Sequence, residues 1–182
     1  MIIIRYALMR SRDINNGPGI CASLYVQGCS HHCKGCFNPE TWDYNGGKLY
    51  TEEKEYQFIE ACKNEHIKNI CILGGEPLDQ GKELFDLLLK LNEEVQKPIW
   101  LWTGYTWEDI FIGQNIITQQ NYDEDKAIKR GILNLCSVVI DGPFIEELKD
   151  NSLRYRGSLN QRVIDVEETK RNSKIILYRG AY

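Results

Sequence analysis

The chain has 182 residues, 42% of them hydrophobic and 26% charged, values typical of one globular domain spanning residues 1–182. A net charge of −4 without a long run of either sign predicts no nucleic-acid partner, and no apolar run is long enough to cross a membrane. The N-terminus lacks a basic segment followed by an apolar one, so we expect no signal peptide and a cytoplasmic location, where thiols stay reduced.

Short apolar runs alternate with amphipathic segments along the chain. Strands are predicted, in order, at residues 2–7, 20–26, 69–73, 99–103, 136–140 and 174–178. Helices are predicted at residues 52–65, 81–95 and 126–133, with Thr51 capping the first, and shorter helical turns follow Thr106 and occupy residues 145–150. The polar residues 113–124 predict an exposed loop.

The alternation of strand and helix in the middle of the chain predicts parallel β/α units. Fewer strands are predicted than the eight of a closed barrel, so the expected fold is α/β, an open partial (β/α) barrel. Parallel architectures bind ligands at the carboxyl ends of their strands. Polar or glycine-rich residues follow four predicted strands: the cysteine-rich segment after residue 26, then Gly74-Gly75-Glu76, Thr103-Gly104 and Asp141-Gly142.

Three of the seven cysteines lie in one short segment, Cys29-x3-Cys33-x2-Cys36. Thiolates this close together indicate a disulfide pair, a zinc site or an iron–sulfur cluster, and the odd number of cysteines disfavours a disulfide framework. Zinc needs a fourth ligand, for which His31 or His32 is available, although at least one of them is predicted to be a solvated loop residue. Ferredoxin motifs supply four cysteines, whereas a [4Fe–4S] cluster held by three leaves one iron open to a substrate. The remaining cysteines are predicted to be small buried hydrophobes: Cys21, Cys62, Cys71 and Cys136.

The cysteine triad resembles the cluster loop of the radical S-adenosylmethionine (SAM) superfamily. The surrounding segments resemble the activating enzymes of glycyl-radical proteins, and among them those that act on anaerobic ribonucleoside-triphosphate reductase. The similar segments follow in the same order over nearly the whole chain, at residues 16–19, 27–29, 35–42, 74–78, 102–105, 141–144 and 156–162. The resemblance therefore implies a single radical SAM domain with the partial barrel of that superfamily.

The resemblance also implies a chemistry and a partner. Cys29, Cys33 and Cys36 would hold three irons of a [4Fe–4S] cluster, and SAM would chelate the fourth. Reductive cleavage of SAM would give methionine and a 5′-deoxyadenosyl radical, which removes a Cα hydrogen from a glycine of the reductase's glycyl-radical subunit. The electron would come from a donor that the sequence does not identify.

SAM-binding residues are implied in several segments. The backbone of Gly74 and Gly75 would approach the ligand closely, with carbonyls accepting from the SAM ammonium group, and Glu76 would add a negative charge beside that cation. The backbone of Gly35, Cys36 and Phe37 would contact adenine. Thr103 and Asp141, which end neighbouring strands, would contact the ribose or methionine moiety.

Two positions depart from the related proteins. Gly35 stands where the superfamily often has an aromatic residue, and Cys21 stands where related activating proteins often have Arg. A polar cluster near the C-terminus is interpreted as docking the reductase, orienting the SAM carboxylate or forming a solvated face: Arg154, Arg156, Gln161 and Arg162. Two alternative functions remain open, a radical SAM enzyme with a small-molecule substrate and a zinc-stabilised binding module without catalysis.

Overall fold

The computed structural model describes residues 4–111 and 123–182. Within these ranges the chain forms seven strands: β1 (Arg5–Asp13), β2 (Ile20–Val26), β3 (Lys48–Leu49), β4 (Ile67–Gly74), β5 (Ile99–Trp102), β6 (Val138–Asp141) and β7 (Arg162–Asp165). They form one sheet in the order β3-β1-β2-β4-β5-β6-β7. The strands β2, β4, β5 and β6 run parallel to one another, whereas β1, β3 and β7 are antiparallel to their neighbours.

The prediction of an open partial (β/α) barrel of the radical SAM type is therefore wrong. The sheet is mixed and not closed, because its order ends at β3 on one side and at β7 on the other. The turn-rich residues between β1 and β2 reverse the chain into an antiparallel pair, and β7 returns antiparallel to β6. Only the central strands have the parallel arrangement that the alternating pattern indicated.

Within the described ranges the chain also forms five α-helices: α1 (Glu52–Lys63), α2 (Gly81–Glu94), α3 (Trp107–Phe111), α4 (Glu124–Leu135) and α5 (Val166–Asn172). Helix α1 begins as predicted, because the Thr51 side chain accepts a hydrogen bond from the Lys54 backbone N–H. Helix α2 buries a stripe of leucines, including Leu84, Leu87 and Leu91, which confirms the predicted helical periodicity. Among the described helices, none combines the length and apolar character needed to cross a bilayer.

Apolar residues cover both faces of the sheet. One face carries Leu24, Ile72 and Leu101 and packs against α1, α2 and α4. Alternate residues of the same strands point to the other face, where Cys71 and Trp100 pack with Val163 and the C-terminal segment. The scattered cysteines all lie in these cores as buried free thiols, as predicted: Cys21, Cys62, Cys71 and Cys136.

Several element boundaries differ from the sequence-based predictions. The prediction of a strand at residues 174–178 is wrong, because only Leu177 forms a β-bridge there, with Ile164. The strand predicted at residues 2–7 continues to Asp13 as β1, while the two-residue β3 and the short helix α5 were not predicted, since neither is long enough to show a period. Most of the loop predicted at residues 113–124 lies outside the described residues.

Candidate functional site

The carboxyl ends of the central parallel strands surround one pocket. The topology places the ends of β2, β4, β5 and β6 side by side, so that residues far apart in the sequence meet there. Most of the predicted site residues line this pocket: Cys29, Cys33, Cys36, Phe37, Gly74, Gly75, Glu76 and Thr103. Gly35 and Asp141 are predicted site residues that do not line it, although the next residues, Cys36 and Gly142, do.

Gly74 and Gly75 end β4 against the backbone that leads into Cys29. The Gly75 N–H donates to the Val26 carbonyl at 2.8 Å, and the Glu76 N–H donates to the Gly28 carbonyl at 2.7 Å. A Cβ atom on Gly75 would lie 2.2 Å from the Gly28 carbonyl oxygen, and Gly74 has a φ of +110°. Both positions therefore require glycine for the chain's own packing, in addition to facing the pocket.

The Glu76 carboxylate is 1% exposed and joins three segments of the site. One oxygen accepts from the Thr103 hydroxyl at 2.7 Å and from the Leu78 N–H at 2.9 Å. The other accepts from the Gly104 N–H at 2.7 Å and lies 3.1 Å from His31 Nε2. Glu76 thus ties the ends of β4 and β5 to the cysteine segment.

His31 and His32 have different surroundings. The His31 ring lies edge-on to Tyr105, and its ion pair with Glu76 raises the pKa of His31. His31 Nε2 meets no hydrogen-bond geometry with this carboxylate, so the contact is electrostatic. His32 is exposed beside Trp42, with ring centroids 4.9 Å apart, which confirms that one of the two histidines is a solvated loop residue.

The three thiols of the triad differ in burial. Cys29 is 9% exposed, whereas Cys33 and Cys36 are half-buried near the mouth of the pocket. Burial raises the pKa of Cys29 and of Cys33, and backbone N–H groups oppose these shifts, from His31 and His32 at Cys29 and from Phe144 at Cys33. The Asn38 N–H donates to the Cys36 sulfur at 3.4 Å. Deprotonation of these thiols must therefore accompany metal binding.

The donor set fits an iron–sulfur cluster. In residues 4–111 and 123–182, no three His, Cys, Asp or Glu side chains are placed to hold one metal ion. A cluster binds each thiolate through a different iron, so its ligands surround a shared space rather than one point. Trp42 also lines this pocket, and its buried indole N–H has no hydrogen-bond partner within the described part of the chain. Three thiols and an unpaired N–H donor around one pocket are compatible with a bound iron–sulfur cluster.

The Asp141 carboxylate faces Arg162. Asp141 is 1% exposed, accepts from Arg162 Nε at 3.0 Å and accepts from the Trp107 N–H at 2.8 Å. Arg162 also forms a bidentate pair with Glu108, and the two carboxylates raise the pKa of Arg162. Asp141 thus holds the end of β6 against β7 and the start of α3.

The rest of the C-terminal polar cluster divides by position. The Gln161 side chain accepts from the Gly157 N–H at 2.8 Å and donates to the Gly142 carbonyl at 3.0 Å, and it lines the pocket. Arg156 donates to the Gln161 carbonyl and lies over the Tyr182 ring, while Arg154 is exposed. Of this cluster, Gln161 is the member that reaches the pocket.

The second half of the cysteine segment, residues 33–37, packs on the residues after β6. Gly35 has a φ of +70°, and a Cβ atom there would lie 2.7 Å from Glu146 Oε1. Lys34 pairs with Glu146 at 2.9 Å and with Glu147 at 3.3 Å. Phe37 is 56% exposed, and its ring centroid lies 5.0 Å from that of Phe144. The structure thus gives a local reason for glycine at the position where related proteins often carry an aromatic residue.

Sequence reasoning missed Asp79 and Tyr44. Asp79 lies in the 3₁₀ turn Pro77–Gln80 after β4, where an acidic residue indicates only a helix start. Its carboxylate accepts from the Tyr44 hydroxyl at 2.6 Å, and the Tyr44 ring covers Gly28. No sequence period links residues 28, 44 and 79, so no pattern pointed to this contact.

Comparisons with known proteins support an iron–sulfur cluster in this chain. The family described as 4Fe-4S single cluster domain matches residues 15–164. The chain is 36% identical over 165 residues to the anaerobic ribonucleoside-triphosphate reductase-activating protein of Salmonella typhi, covering 88% of this chain and 97% of the relative. The protein of the same name from Escherichia coli K12 is 37% identical over 156 residues, with 83% and 92% covered, and that of Enterobacteria phage T4 is 33% identical over 154 residues, with 83% and 87% covered. Together these matches show that the chain belongs to the family of anaerobic ribonucleoside-triphosphate reductase-activating proteins, with a 4Fe-4S single cluster domain.

Proposed function

We propose that this chain is a radical SAM activase that generates a glycyl radical on an anaerobic ribonucleoside-triphosphate reductase. Cys29, Cys33 and Cys36 would hold a [4Fe–4S] cluster, leaving one iron for SAM. Reduced by an external donor, the cluster would supply the electron for cleavage of SAM to methionine and a 5′-deoxyadenosyl radical, and this radical would take a Cα hydrogen from a glycine of the reductase.

The observation that carries this proposal is the position of the three thiols. They line one pocket at the carboxyl ends of parallel strands, together with the backbone of Gly74 and Gly75. The names of the relatives, which identify reductase-activating proteins, support the choice of reaction and of partner.

The chain's own residues bind and orient the ligand. The Gly74 and Gly75 carbonyls would accept from the SAM ammonium group, and the buried Glu76 would add a negative charge beside that cation. The backbone of Cys36 and Phe37, which line the pocket, would contact adenine, whereas Gly35 lies outside the lining. The segment that starts at Thr103 would border the ribose or methionine moiety. Asp141 does not line the pocket but positions a residue that does. Its pairing with Arg162 holds the backbone directly before Gly142, which lines the pocket.

Metal analysis tests the cluster assignment. Protein purified and reconstituted without oxygen should contain about four iron and four sulfide per chain. Cys33→Ala should lose the cluster and SAM cleavage. Cys62→Ala should keep both, because Cys62 is fully buried in the core, where burial raises the pKa of its thiol to about 12. One zinc without labile sulfide, or equal loss in both variants, would contradict the assignment.

Partner dependence tests the reaction. Reduced protein, SAM and an anaerobic ribonucleoside-triphosphate reductase should give a glycyl radical signal in electron paramagnetic resonance. Omitting SAM, or using Cys33→Ala, provides the control. SAM cleavage without a radical on the reductase would point instead to a radical SAM enzyme with a small-molecule substrate.

A further inference from the structure

The Asp79 carboxylate receives hydrogen bonds from three separate segments. The Ser30 N–H donates to Oδ2 at 3.0 Å, and the Tyr44 hydroxyl donates to the same oxygen at 2.6 Å. The Tyr105 hydroxyl donates to Oδ1 at 3.1 Å. An ionised carboxylate has only acceptor sites and can take all three donors at once, and such charge-assisted bonds are stronger than neutral ones.

Each of these donors fixes a position next to Cys29. Ser30 follows Cys29 directly and is held by its own N–H. The Tyr44 ring covers Gly28, where a Cβ atom would lie 2.3 Å from Tyr44 Cδ1. The Tyr105 ring lies edge-on to His31, with centroids 4.6 Å apart. Residues 28, 30 and 31 are therefore all held, directly or through a ring, by one side chain.

The turn that carries Asp79 is itself tied to the neighbouring segments by hydrogen bonds. The 3₁₀ turn Pro77–Gln80 follows β4, and the buried Glu76 caps it by accepting from the Leu78 N–H. The Gln80 side chain in the same turn donates to the Gln27 carbonyl at 3.1 Å, on the strand side of Gly28. The turn therefore contacts the chain on both sides of Cys29.

We propose that Asp79 is a positioning residue that holds the Cys29 thiolate in place for cluster binding. This inference rests on the proposed function, because it assigns Cys29 to the cluster. Asp79 acts through Ser30, Tyr44 and Tyr105 and does not itself touch iron.

Two substitutions at this position separate the hydrogen bonds from the charge. Asp79→Ala removes all three acceptor contacts. Asp79→Asn keeps an amide oxygen that can accept from Ser30 and Tyr44, while its NH₂ group faces the Tyr105 oxygen, so most of the arrangement survives without the charge. The matched control is Asp86→Ala on α2, where the carboxylate pairs with Lys82 and lies on an exposed surface.

The measurements use the reconstituted full-length protein. Iron release to a chelator and the electron paramagnetic resonance spectrum of the reduced cluster, with and without SAM, are recorded for each variant. Asp79→Ala should retain the cluster roughly 10- to 100-fold less well, as is typical when a group that orients a metal ligand is lost. Its spectrum should broaden, Asp79→Asn should recover most of the retention, and Asp86→Ala should match the unaltered protein.

A folded Asp79→Ala variant with unchanged retention and spectrum would overturn the proposal. If Asp79→Ala does not fold, the double variant Tyr44→Phe with Tyr105→Phe takes its place, because it removes two donors and leaves the carboxylate and both rings. Normal retention in that variant would also overturn it. Failure of the unaltered protein to bind a cluster would instead contradict the proposed function, so the two failures are distinguishable.

Discussion

The two halves of the cysteine segment are held in different ways. The inner half, residues 28–31, contacts Glu76, whose side chain is 1% exposed, and the partly exposed Asp79. The outer half, residues 33–37, rests on Lys34 and Glu146, whose side chains are 78% and 44% exposed. Buried polar contacts are costly to lose, whereas exposed ion pairs contribute little. The comparison indicates that the segment around the first cysteine is held more firmly than the segment around the other two.

The largest expected effect comes from breaking the inner half at Glu76. Glu76→Ala leaves the Thr103 hydroxyl and the Gly104 N–H without their buried acceptor, and it removes the carboxylate that faces His31. The metal-free protein should lose about 3–5 kcal/mol of unfolding free energy in urea. Glu93→Ala, at an exposed position in α2, should change it little. Equal stability of the two variants would contradict the conclusion that buried contacts hold the inner half.

A steric change at Gly75 should be the next largest. Gly75→Ala places a Cβ atom 2.2 Å from the carbonyl oxygen of Gly28. This oxygen belongs to the backbone and cannot rotate away as a side chain could. We expect a loss of about 2–3 kcal/mol, measured in the same denaturation experiment. The control Gly131→Ala in α4 meets only the Phe85 side chain, which can rotate, so its loss should be smaller.

The outer half should tolerate the same kind of change better. Gly35→Ala costs about 1–2 kcal/mol because alanine disfavours the left-handed conformation at φ +70°. Its clash is with the end of the flexible Glu146 side chain. Adding Glu146→Ala should therefore recover part of the loss and leave only the backbone cost. A loss from Gly35→Ala larger than that from Gly75→Ala would reverse the comparison.

The smallest effect is expected at Lys34. Lys34→Ala removes the contacts with Glu146 and Glu147 from a fully solvated surface, so the urea midpoint of the metal-free protein should stay the same. Raising the salt concentration should shift the midpoints of Lys34→Ala and of the unaltered protein equally, because screening weakens only pairs that contribute to stability. A lower midpoint for Lys34→Ala that salt abolishes would mean that the outer half is held more firmly than its exposure suggests.

Much of the site could be predicted because its residues follow strands. Apolar runs located β2, β4, β5 and β6, and parallel topology brings their carboxyl ends together, so the cysteines, Gly74, Gly75, Glu76 and Thr103 could be placed in one pocket. The antiparallel edges could not be predicted, because β7 has the same short apolar pattern as a parallel strand. This is why the barrel prediction failed while the pocket residues were found.

Contacts between distant residues set the other limit. Asp141 looked like a ligand-facing residue, yet its partner Arg162 lies on an antiparallel strand that the pattern did not orient. Asp79 gave no signal, because its donors are at residues 30, 44 and 105, in three different loops. Periodicity locates elements, whereas side-chain contacts between loops depend on the assembled structure.

Tryptophan side chains give the pocket an intrinsic optical reporter. Trp42 and Trp102 both line it, and Trp102 lies 6.2 Å from the buried Trp100. An iron–sulfur cluster absorbs in the range of indole emission, so a cluster bound in this pocket would quench Trp42 and Trp102 by energy transfer. Fluorescence of the native chain should therefore fall as the pocket fills, which allows loading to be followed in real time without a label.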